Sequence, residues 1–307
     1  MVFWYNKNTM KPSQFLLAAG LFIILLGAGC TSTITETEAK DAAEAVDLSQ
    51  GSKITLRQTV FGLGGVFAET MAGDNLAEYQ VSINSFAPAD SVSFAWSSEA
   101  QQETAASIAA REAYDAATHP VGDTSTAPTP VYETINKTGN FSSSALDNAI
   151  NVLLPAYWSE GEQSFEDNSI VWLSKEQYDN LVNTKIATLS LGLFDEKISS
   201  LLEISDKVQG ALNALQQKAA AASQSEDIYK LTAADDWKTY SLTVDGAEKT
   251  VRTIEASNWF GSYVILANAD NPLILKATLN PFALGSFDLS SPLSSFLGYE
   301  VTEITTK

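Results

Sequence analysis

Alternation of apolar and polar residues is the feature that most constrains this chain. From Leu76 to Phe86, Ala77, Tyr79, Val81 and Ile83 fall on one side; Glu78, Gln80, Ser82 and Asn84 fall on the other. Ser91 to Ser97 repeats the pattern with Val92, Phe94 and Trp96, and a Pro88-Ala89-Asp90 turn joins the two. A period of two places successive side chains on opposite faces of a sheet, so these segments read as paired antiparallel strands with one dry and one wet face. Lys53–Phe61, Ser169–Ser174 and Ile186–Leu191 add further strand signals. The C-terminal third reads as a meander: Lys238–Val244, Glu248–Ala256, Trp259–Ala267, Pro272–Leu279 and Leu297–Ile304. Asp245-Gly246 marks a tight hairpin, because both residues tolerate positive φ. Continuous apolar runs of the kind that fill a doubly wound parallel sheet are missing.

Helical spacing is clearest over about 195–223, where Ile198, Leu201, Leu202, Val208, Leu212 and Leu215 recur on one face. Two shorter helices are expected. One covers Ser98–Ala117, capped by Ser97 or Ser98 and closed by Pro120. The other covers Ala145–Leu154, with Ser144 and Asp147 as a capping box and Pro155 as its stop. A helical turn is expected over Lys175–Val182. The expected fold class is therefore α+β: a mostly antiparallel sheet with the long amphipathic helix packed on one face. Residues 52–307 form its domain, with a division near the 115–130 loop left open. Residues 30–51, rich in Thr, Glu, Ala and Asp, read as a flexible tether.

The N-terminus carries a different message. Lys7 and Lys11 precede an apolar run, Phe15–Ala28, that ends at Leu26-Gly27-Ala28-Gly29-Cys30. Its 14 residues match a signal-peptide core and fall short of the ~20 needed to span a bilayer. Small residues directly before the cysteine resemble the cleavage motif of bacterial lipoproteins. That resemblance implies removal of residues 1–29, a thioether diacylglycerol on Cys30 and a further acyl chain on its amine. Two or more chains hold a protein on a membrane where one does not. Thr31 after the cysteine implies the outer membrane if the host is a diderm.

Cys30 is the sole cysteine, so no intramolecular disulfide forms and stability must come from a core. Losing residues 1–29 removes two lysines and no acid, which takes the formal charge from −19 to −21. A chain this acidic is repelled by nucleic acid.

Residues that could carry chemistry are few. His119 is the only histidine and sits beside Pro120 in a polar loop, so a zinc site or a His-based nucleophile pair lacks its parts. Gly62, Gly64 and Gly65 lack the Gly-Lys-Ser/Thr ending of a phosphate loop. Glu160, Glu162, Glu166 and Asp167, and Asp235-Asp236, are acid-rich loops without calcium-loop spacing. No metal site and no cofactor is expected.

The preferred expectation is a non-enzymatic envelope lipoprotein: a binding or scaffold module, or a carrier of a lipid or other apolar ligand. For a carrier, Trp259, Tyr263, Leu273 and Leu275 are the lining candidates, and the layout resembles the half-barrel lipoprotein carriers of the bacterial envelope. The alternatives are a hydrolase of envelope glycans or esters that uses carboxylates, and an adhesin or assembly subunit.

Overall fold

The computed structural model describes residues 34–59, 77–117, 126–155, 158–192, 217–224, 227–280 and 298–307. Cys30, His119 and the Gly62–Gly65 stretch lie outside these residues. Glu36–Lys307 is one compact unit.

The strands are β1 (Lys53–Gln58), β2 (Glu78–Ala87), β3 (Ser91–Glu103), β4 (Tyr132–Ser143), β5 (Asn151–Leu153), β6 (Gly161–Phe165), β7 (Asn168–Ile170), β8 (Ile186–Thr188) and β9 (Ser190–Leu191). They continue as β10 (Lys230–Ala233), β11 (Lys238–Val244), β12 (Ala247–Asn258), β13 (Gly261–Leu266), β14 (Ile274–Leu279) and β15 (Gly298–Thr305). The helices are α1 (Glu36–Glu44), α2 (Ala105–Ala116) and α3 (Lys175–Thr184).

One sheet runs β6-β4-β3-β2-β1-β15-β14-β13-β12-β10-β8. Strand β11 pairs with both β12 and β15, and so closes β11 to β15 into a five-stranded barrel. A small parallel sheet, β7-β5-β9, stands apart. The barrel corrects the α+β expectation: the domain is mostly β. The described helices are 9, 12 and 10 residues long, and among the described residues no long amphipathic helix packs on the sheet. Most of the helix expected over 195–223 lies outside the described residues; 217–222 are helical.

Three further corrections have local causes. Ser98 does not cap a helix, because β3 continues to Glu103 by pairing with β4 out to Glu103↔Tyr132. Helix α2 instead starts behind Thr104, whose hydroxyl accepts from the Ser107 amide. Ala145–Leu154 is not a helix. Its backbone is spent on tertiary partners: Leu146 O accepts from Lys175 N, Ile150 O accepts from Ser190 N, and β5 pairs in parallel with β7 and β9. Val152, Leu153 and Leu154 are thereby buried. Residues 36–51 are folded rather than a tether. Helix α1 buries Ala39 and Ala43, and Asn268 donates to the carbonyls of Ala43 and Val46.

Other expectations match. The helical turn expected over Lys175–Val182 is α3, and a reciprocal capping box of Ser174 and Gln177, which the sequence reading did not identify, starts it. Asp245 (φ 53°) and Gly246 (φ 73°) make the hairpin turn between β11 and β12. A continuous core runs beneath the sheet, with Phe94, Phe141 and Trp172 each 2% exposed or less.

Candidate functional site

In an antiparallel pair, residues directly opposite share a face. On β12, Val251, Thr253, Glu255 and Ser257 therefore lie on one face. Register carries that face across the barrel. Glu255 stands opposite Val264, Val264 opposite Lys276, and Lys276 opposite Glu300. One step along, Thr232, Ser257, Ser262 and Thr278 form a second row across β10, β12, β13 and β14. This face bounds a concavity of about 630 Å³. The other face packs: Ile254, Ala256, Tyr263, Ala277 and Tyr299 are all 4% exposed or less.

The charged row is mutually compensated. Lys276 Nζ lies 3.9 Å from Glu300 Oε2, and their side chains are 23% and 15% exposed. Arg57 of β1 stands opposite Glu300 on its other side. Tyr240, opposite Val251 on the same face, has its phenol pKa pushed up by burial and then by the Glu300 carboxylate, with the Arg57 guanidinium opposing. Thr253, fully buried, has a hydroxyl without a hydrogen-bond partner among the described residues.

The four lining residues expected for an apolar carrier are not brought together around a space. Leu273 and Leu275 are fully buried in the packed core, and Leu273 bridges to Trp172. Trp259 sits in the β12–β13 turn with its ring 5.2 Å from that of Phe260. Tyr263 borders the concavity, but its register with Ala256 and Ala277 sets it on the packed face. The acid-rich loops do not converge: Glu160, Glu162, Glu166, Asp167, Asp235 and Asp236 are all exposed. Among the described residues, no group of three or more His, Cys, Asp or Glu is placed to hold a metal ion.

The sequence reading missed the concave face altogether. Thr232, Ser257, Ser262 and Thr278 are single hydroxyl residues spread over 47 positions, each indistinguishable from a solvent-facing strand residue. Only register aligns them.

The fold defines a class, a closed five-stranded barrel whose sheet continues beyond β15 through β1, β2, β3, β4 and β6 and beyond β12 through β10 and β8. Compared with known proteins, the chain matches no family model, and neither a curated protein nor a solved structure matches it. No helix among the described residues is long and apolar enough to cross a membrane.

Proposed function

We propose that this chain is a lipid-anchored bacterial envelope protein whose folded domain is a non-enzymatic binding module working at the concave face of the barrel. The concavity of about 630 Å³, lined by both polar and apolar side chains, carries the binding half of the reading. Its volume is that of an ordinary ligand site, and its charged row consists of paired opposite charges. The Leu26–Cys30 motif carries the anchor, and outer-membrane delivery follows if the host is a diderm. Membrane contact then runs through acyl chains on Cys30, and nucleic acid is not a partner.

Metabolic labelling with a palmitate analogue tests the anchor. The full chain is expected to take label and fractionate with membranes, and Cys30→Ala is expected to do neither. An unlabelled, freely soluble parent chain overturns the anchor. Native mass spectrometry of the full chain, purified in detergent from envelopes, tests the binding module through retention of a small molecule.

One observation favours assembly as a second reading. The β3–β4 ribbon continues past the last β2 pair, Tyr79↔Ser98, and carries α2 at its end. There Ile108, Val131 and Tyr132 are 37%, 58% and 57% exposed. Thr104 N donates to Val131 O and Val131 N donates to Ser107 Oγ, so the three side chains sit on one small tip. Exposed apolar groups gathered on a projection mark a contact surface. Crosslinking in envelopes is expected to capture a partner through this tip and to lose it in Tyr132→Lys.

A further inference from the structure

We propose that the projecting β3–β4 arm pairs with a second copy of this chain, edge to edge along Tyr132–Thr138 of β4, in a two-fold antiparallel register centred on Ile135. The inference rests on the assembly reading of the arm and names its partner.

An open edge is the first argument. Strand β6 pairs with β4 only over Gly139–Ser143, so among the described residues no strand lies beside Tyr132–Thr138 on the side away from β3. Every residue of that run is exposed except Ile135, which is half-buried. Backbone direction follows from register. Thr104 N donates to Val131 O, and hydrogen-bonded pairs alternate along an antiparallel ladder. Strands β3 and β4 pair without a bulge, so Glu133, Ile135 and Lys137 turn their amides and carbonyls to β3. Tyr132, Asn136 and Thr138 turn theirs outward, as Ser144 does when it donates to Phe165 O at the end of β6. Such an edge is a template for another strand.

Charge chooses the occupant. Glu133 and Lys137 share one face of β4 but stand four residues apart, about 13 Å along a strand, too far to pair within one chain. A two-fold axis at Ile135 sets Tyr132 opposite Thr138 of the second copy, both turned toward the partner. The same register sets Glu133 opposite Lys137 of the second copy, twice over, and Ile135 opposite its own equivalent. These are non-hydrogen-bonded pairs, where facing side chains lie closest, and opposite charges there favour the pairing. An axis one residue to either side sets Ile135 opposite Glu133 or Lys137 and leaves the charges unmatched. The other edge of the arm is guarded instead. Past Ser98, β3 carries Glu99 and Glu103, and a two-fold pairing centred on Gln101 would set these like charges opposite each other.

The pairing also supports the arm itself. Among the described residues the arm past Ser98 is two strands wide, and a two-stranded ribbon in water is marginal alone. A second copy makes it four strands wide. It carries Tyr132, 57% exposed at the tip of one arm, against Thr138 at the base of the other. One patch serves both copies, so the contact closes as a dimer rather than growing into a fibre.

Sedimentation of the full chain in density-matched detergent is expected to show a dimer. Glu133→Lys and Lys137→Glu are each expected to weaken it about tenfold. Mixing the two variants is expected to restore it, because each supplies the charge the other lacks, and that recovery guards against misfolding of either. Oxidation of Ile135→Cys is expected to give a covalent dimer, since equivalent Cα atoms in such a pair fall within disulfide reach. Glu99→Cys on the guarded edge, and the parent chain with Cys30, are expected to stay single. A monomeric parent chain, charge variants that sediment as the parent does, no recovery on mixing, or equal crosslinking through Ile135→Cys and Glu99→Cys overturns the proposal. If the parent chain is monomeric while the tip captures a different protein in envelopes and Tyr132→Lys loses it, this inference falls and the assembly reading stands. If nothing is captured either, both fall.

Discussion

The Arg252 guanidinium lies over the Trp237 ring, 3.9 Å from its centroid, and reaches Glu36 Oε1 at 3.3 Å. One side chain of β12 thus holds the segment before β11 and the first turn of α1 together. The Arg252 side chain is only 16% exposed, so its contact with the ring is partly desolvated, where such pairs are strongest. The Glu36 carboxylate is 74% exposed, and that arm of the contact adds little.

Arg252→Ala is expected to destabilise the domain by about 1–2 kcal/mol, mostly through the ring contact and lost packing of its stem. Glu36→Gln is expected to shift stability by less than about 0.5 kcal/mol. A double-mutant cycle between Arg252→Ala and Trp237→Leu, read by urea unfolding, is expected to give a coupling near 1 kcal/mol. A coupling near zero would show that the two side chains are neighbours without interaction.

Asn271 links three elements. Its Oδ1 accepts from Trp172 Nε1 at 2.8 Å, its Nδ2 donates to Val46 O at 3.1 Å, and the residue is 1% exposed. Asn271→Leu strands the buried Trp172 indole N–H and leaves the Val46 carbonyl with the Asn268 amide alone, and is expected to cost about 1–3 kcal/mol. Thermal melting should show it, and a variant as stable as the parent chain would refute the bonding.

Two glycines admit no Cβ. At Gly261 a Cβ would overlap the Thr278 carbonyl oxygen, and at Gly298 (φ +153°) it would overlap that of Ala277. Both overlaps are with the backbone of β14, which cannot move without breaking barrel pairing. Gly261→Ala and Gly298→Ala are each expected to cost about 3 kcal/mol or more. Gly246→Ala, with open space around its Cβ position, is expected to cost about 1 kcal/mol through its positive φ alone.

Alkali is expected to unfold the domain. Burial raises the phenol of Tyr79 to about 12, raises Tyr240 with help from Glu300, and holds Tyr299 well above its ordinary value of 10.0. The folded state therefore keeps protons that the unfolded state loses. Stability is intact below about pH 10, falls as the unfolded phenols ionise, and levels off only above the folded values. At about 1.36 kcal/mol per pKa unit, Tyr79 alone accounts for about 2–3 kcal/mol by pH 12. Phenolate absorbance should rise together with unfolding rather than before it. Free titration of these tyrosines in folded protein would contradict their burial.

Much of the sheet was legible because it is written locally. Strands β2 and β3 and the C-terminal meander carry their alternation openly, and the helical turn that became α3 shows in Lys175–Val182. Strand β4 was not legible. Its first seven residues expose Glu133, Thr134, Asn136, Lys137 and Thr138, and it is a strand because β3 supplies the partner backbone. The residues 145–154 mislead for the opposite reason: a local capping signal loses to three tertiary hydrogen-bonding partners. The concave face was illegible because no spacing in sequence predicts which serine will stand beside which.

The sequence by itself determined that no intramolecular disulfide forms, that β2, β3 and the C-terminal meander alternate as strands, and where the β11–β12 turn falls, since each depends on nearest neighbours or on composition; it overstated the helical share, because helical spacing alone does not show what packs on a sheet. Only the tertiary structure decided that β11 reaches both β12 and β15 and so closes a barrel. It alone brought Glu300 within electrostatic range of Tyr240 and lined up Thr232, Ser257, Ser262 and Thr278. Those outcomes rest on hydrogen bonds between strands far apart in the chain, whose pairing is chosen by how all the buried faces pack at once.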